Sequence, residues 1–79
     1  MIDFDNKYSE YEMTTVERYM TREAQYYKRD IWVATLEWVD GKYLLRNRWG
    51  DEEEVENVAT FEEAKVKAFA LVVEEFDGC

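Results

Sequence analysis

The sequence predicts an α+β fold of order α-β-β-β-α, in which a three-stranded antiparallel meander packs on helices in two layers. Three observations carry that expectation. Two capping boxes, Thr14 with Glu17 and Thr60 with Glu63, each precede apolar residues at helical period. Asp40-Gly41 is a hairpin-turn dipeptide set between two runs rich in aromatic and β-branched residues. The 79 residues contain no proline and only three glycines, so regular elements joined by short turns should fill the chain.

The elements follow in order within a single domain, residues 1–79. Residues 1–13 form an N-terminal segment, and a first helix spans 15–28. Val16, Tyr19, Met20, Ala24 and Tyr27 make its apolar face, although Tyr and Thr also suit a strand. Residues 31–58 make the sheet. With Asp40 and Gly41 as a two-residue loop, Trp38 faces Tyr43, Leu36 faces Leu45 and Trp32 faces Trp49. Trp32, Ala34, Leu36, Trp38, Tyr43, Leu45 and Trp49 then share the core side, and Glu37, Lys42, Arg46 and Arg48 the wet side. The third strand runs from Glu53 to Val58. A loop at Gly50-Asp51-Glu52 puts Val55 with the tryptophans, Glu54 opposite Arg48 and Glu56 opposite Arg46. A loop one residue shorter would drive both glutamates into the core, which burial forbids. The second helix spans 61–76. Its stripe of Phe61, Ala64, Ala68, Leu71, Val72 and Phe76 covers the tryptophan face.

This order, with Thr60-Phe61-Glu62-Glu63-Ala64-Lys65 opening the last helix, resembles the double-stranded-RNA-binding domain over the later part of the chain. The resemblance implies lysines offered to RNA phosphates at the start of that helix. Glu62 and Glu63 stand there instead and would repel a duplex, so the family's function is not expected.

Composition narrows the chemistry. Cys79 is the only cysteine, so no disulfide closes within the chain and a reducing compartment is expected. Without histidine, a lone cysteine builds no metal centre. The N-terminus has no signal-peptide pattern, and Ala68 to Val73, the longest apolar run, falls far short of the roughly 20 residues a spanning helix needs. A soluble cytoplasmic protein is expected, in the host cell's cytoplasm if phage-encoded. No histidine, no glycine-rich phosphate loop and a single serine, Ser9, leave no catalytic constellation, so neither an enzyme nor a cofactor is expected. Tyr19, Arg22, Tyr26, Tyr27, Lys28 and Arg29 could clamp a nucleic-acid strand, with Tyr26, Tyr27 and Arg29 as the contacts. A packed helix whose bases complement its C-terminal dipole explains them better. The net charge of −9 also opposes direct nucleic-acid binding.

That charge is polarised. From Asp51 to Cys79 ten acids face two lysines, whereas residues 13–50 hold seven bases against five acids. Cross-strand pairing accounts for Glu54 and Glu56, and the helix dipole for Glu62 and Glu63, with Glu63 also placed to pair with Lys67. Asp51, Glu52 and Glu53 crowd a hairpin tip, and Glu74, Glu75 and Asp77 load a helix C-terminus, where negative charge is unfavourable. Residues that stability does not explain are candidates for function. These six are the predicted partner-binding residues.

In size, acidity and lack of catalytic motifs the chain resembles phage-encoded anti-CRISPR and anti-restriction proteins. The resemblance implies a nucleic-acid mimic that blocks the basic DNA- or RNA-binding surface of a CRISPR effector or other host nuclease. Simple solubility is the competing reading of the charge. A structural module is the alternative of another class: Val66, Phe69 and Val73 widen the last helix's apolar stripe, which would make the protein a homodimer rather than a monomer.

Overall fold

The computed structural model describes residues 9–17 and 21–76. Five strands form one antiparallel sheet in sequence order: β1 (Tyr11–Glu17), β2 (Arg22–Lys28), β3 (Ile31–Val39), β4 (Lys42–Asn47) and β5 (Glu52–Glu54). One helix, α1 (Phe61–Leu71), follows and passes into a π-helical turn, Val72–Phe76. This overturns the α-β-β-β-α expectation. Two strands stand where the helix over 15–28 was predicted; Arg18, Tyr19 and Met20, within that span, lie outside the described residues.

The reason lies in competing periods. Val16, Ala24 and Tyr27 fit a helical face, but Tyr11, Met13, Thr15, Ala24 and Tyr26 fit period two. In register, Met13 faces Tyr26 and Thr15 faces Ala24. Tyr26 is fully buried whereas Tyr27 is not, so the two-residue period wins. The consecutive β-branched residues Thr14, Thr15 and Val16 favour the same outcome.

The β3–β4 hairpin has the expected geometry. Asp40 (φ 52°) and Gly41 (φ 80°) make the two-residue turn, with Val39 opposite Lys42, Trp38 opposite Tyr43 and Leu36 opposite Leu45. Farther from the turn, a β-bulge alters the faces. Tyr26 pairs with Ala34 and the next pair is Tyr27 with Trp32, so β3 accommodates Val33 as an extra residue. Val33 and Ala34 are both buried, and Trp32 moves from the expected core side to the opposite side of the sheet. Trp49 lies beyond β4, in the turn, and is 63 % exposed. Two of the three tryptophans assigned to the core side therefore leave it, and Trp38 remains there but half exposed.

The third predicted strand, Glu53 to Val58, is reduced to the three residues of β5. Its register also differs, because the turn runs from Asn47 to Asp51. Buried Asn47 shapes that turn: its Oδ1 accepts from the backbone N–H of Trp49 (2.9 Å) and of Asp51 (3.0 Å). Arg46 consequently faces Glu52, and Leu44 faces Glu54. The expected pairs Arg48–Glu54 and Arg46–Glu56 do not form.

Helix α1 starts as its capping box predicts. The Thr60 hydroxyl accepts from the Glu63 N–H (3.1 Å), and Glu63 Oε1 accepts from the Ala59 N–H (2.8 Å). Phe61, Ala64 and Ala68 then face the sheet. Phe61 meets Tyr43 with ring centroids 6.2 Å apart, and Phe69 stacks on Tyr26 at 6.1 Å. The Tyr26 hydroxyl donates to the Lys65 carbonyl (2.8 Å), and Lys65 Nζ donates to Thr15 Oγ1 (2.9 Å). All these contacts lie on one face of the sheet. No described element packs on the other.

Candidate functional site

The face left open by α1 is built by alternation from all five strands, and register arranges its residues in rows. One row runs Val16, Glu23, Glu37, Leu44, Glu54, and the next Thr14, Gln25, Thr35, Arg46, Glu52. Past the bulge a third row holds Glu12, Tyr27 and Trp32. Val39 and Lys42 complete the face beside the β3–β4 turn. Among the described residues, five glutamates here face two bases, Lys42 and Arg46.

Two features organise the face. Arg46 binds Glu52, with Nη2 2.7 Å and Nε 2.9 Å from the carboxylate. That hydrogen bond and charge, with Glu37 adding charge, hold the guanidinium above its ordinary pKa. Both side chains are about half exposed, so the pair contributes little to stability. A relay of side chains crosses β3 and β2. Trp32 Nε1 donates to Thr35 Oγ1 (2.9 Å), the Thr35 hydroxyl donates to Gln25 Oε1 (2.8 Å), and Gln25 Nε2 donates to Glu23. Each group in the relay is fixed by the next.

Glu23 and Glu37 stand directly opposite each other on β2 and β3. Directly opposed side chains have Cβ atoms about 4.5–5.5 Å apart, and like charges at that separation destabilise a sheet.

The predicted partner-binding residues do not form a single surface. Asp51 is exposed in the β4–β5 turn, Glu52 lies on the open face, and Glu53, opposite Leu45, projects from the helix side of β5. Glu74 and Glu75 are exposed in the π-helical turn, and Asp77 lies outside the described residues. The aromatic clamp is divided as well: Tyr26 is buried under α1, Tyr27 faces the other way, and Arg29 binds Glu10 at 3.1 Å in the β2–β3 turn. Of the apolar residues proposed for a dimer, Val73 is buried and Phe69 packs against Tyr26, leaving Val66 exposed. Glu12, Glu23, Glu37 and Trp32 were not among the expected site residues, and Tyr27 was expected only as part of the aromatic clamp. Period-two alternation across residues 11–28 was the signal for the first two and Tyr27; no local pattern announced the bulge that turns Trp32.

A concavity of about 390 Å³ lies between the β3–β4 turn and residues 54–59, against Trp38, Lys42, Tyr43 and Asn57. No histidine or cysteine lines it. Among the described residues, no group of three or more His, Cys, Asp or Glu is placed to hold a metal ion, and no helix is long and apolar enough to cross a membrane. Compared with known proteins, the chain matches no family model, no curated sequence and no solved structure.

Proposed function

We propose that the protein is an acidic nucleic-acid mimic that binds, through the open face of its sheet, the basic DNA- or RNA-binding surface of a target protein. The target class is a CRISPR effector complex or a comparable host nuclease, met in the host cytoplasm. The observation that carries the reading is the excess of glutamates on a face that no described element covers, with Glu23 and Glu37 opposed across neighbouring strands. Solubility alone is served by acids anywhere on the surface and does not require two of them in direct opposition. Local choices that cost stability are expected where function is placed.

The mechanism is stoichiometric competition. A rigid sheet presents carboxylates at strand spacing, about 4.8 Å between neighbouring strands and 6.7 Å between alternate residues of one strand. Lysine and arginine side chains lining a nucleic-acid channel can take these carboxylates in charge-assisted hydrogen bonds. Complementary potential also accelerates encounter. Exposed charges at the β4–β5 turn and on the π-helical turn extend the field without belonging to the face.

The test is target-DNA binding by a panel of purified CRISPR effector complexes, with and without equimolar protein, at rising salt. The reading expects one complex to lose DNA binding at low salt and to regain it as salt screens the contact. DNA binding unaffected across the panel, or inhibition insensitive to salt, would contradict it.

A further inference from the structure

We infer that the row Glu12–Tyr27–Trp32 is a subsite for an arginine side chain of the basic partner. The inference rests on the open face being the binding surface, and names the contact that would anchor it. Glu12 on β1, Tyr27 on β2 and Trp32 on β3 are consecutive partners in register, so a carboxylate, a phenol ring and an indole lie side by side across the sheet. The row spans two strand spacings, about 10 Å. An arginine side chain laid across Tyr27 can bridge from the indole to the carboxylate.

Three features favour this ligand. The Trp32 N–H is already given to Thr35 Oγ1, so the indole offers a partner its ring rather than its donor. The relay through Thr35 and Gln25 to Glu23 fixes that ring in place, so little side-chain freedom is lost on binding. Trp32 is 37 % exposed, open to contact yet seated on the sheet. A planar guanidinium stacks on an aromatic face and takes a carboxylate through two parallel hydrogen bonds, whereas a lysine ammonium supplies only a point charge. Farther along the face, the row with Glu23, Glu37 and Glu54 adds charge that complements a basic partner.

The experiment titrates the protein with nona-arginine and, separately, nona-lysine, following the three indole N–H resonances by NMR at low salt. Nona-arginine should bind about tenfold more tightly, shifting the Trp32 resonance and leaving those of Trp38 and Trp49 in place. Trp32→Leu and, independently, Glu12→Gln should each bring the two peptides to similar affinity. Equal binding of both peptides by the unaltered protein would overturn the subsite while leaving the acidic-face reading intact. Arginine preference that survives both substitutions, or that shifts Trp49 instead, would also overturn it. Binding of neither peptide would remove the subsite and the acidic-face reading together.

Discussion

Tyr26 ties the sheet to the helix in two ways: its ring stacks on Phe69 and its hydroxyl donates to the Lys65 carbonyl. Burial also pushes the phenol well above its ordinary pKa, because a phenolate under α1 would lose its hydration. The sign of the linkage follows. The folded state holds the proton more tightly than the unfolded chain, so the contribution is full below the unfolded value of about 10 and is lost as pH rises through the higher folded value. Urea unfolding should therefore show stability falling above pH about 10. Tyr26→Phe should flatten that fall, while costing about 1 kcal/mol at neutral pH through the lost hydrogen bond. Identical alkaline slopes would remove Tyr26 as the cause. At the helix start, Thr60→Ala should cost about 1 kcal/mol in the same assay, since the Glu63 N–H loses its acceptor. No loss would mean that the cap is dispensable.

The β2–β3 connection is a two-residue turn with Arg29 at φ 51° and Asp30 at φ 70°, a left-handed pair without glycine. Asp30→Gly should therefore stabilise the fold by about 0.5–1 kcal/mol, part of the 1–2 kcal/mol left-handed cost being returned as glycine's chain entropy. A lower denaturation midpoint would show that Asp30 contributes more than its backbone strain. This turn is also why the first half of the fold is hard to read from the sequence. Asp40-Gly41 announces the second turn in its residue types, whereas Arg29-Asp30 carries no such signal. Thr14 and Glu17, moreover, imitate a capping box inside a strand. Helix α1 was legible because Thr60, Glu63 and the stripe from Phe61 agree with one another. The β4–β5 register was not, because it depends on Asn47 accepting two backbone N–H groups in a turn centred two residues earlier than burial alone suggests. The predicted acid clusters were chosen by sequence neighbourhood. The face that gathers acids from four strands is assembled by register, which no local window contains.

Over the whole molecule, a net charge of −9 gives salt two opposite effects. Screening relieves self-repulsion in the folded chain and also weakens attraction to a basic partner. The melting temperature should rise between low and high salt while partner affinity falls over the same range. A melting temperature that drops with salt would mean that the ion pairs, such as Arg46–Glu52, outweigh the repulsion. The central claim is that placement on the open face, rather than acidity as such, makes the binding surface. It is tested most directly by two triple variants that each remove three negative charges, compared for DNA displacement from the effector that the unaltered protein inhibits. One is Glu12→Gln with Glu23→Gln and Glu37→Gln; the other is Asp51→Asn with Glu74→Gln and Glu75→Gln. The account predicts that the first loses displacement and the second keeps it. Loss confined to the second, or equal loss in both, would contradict it.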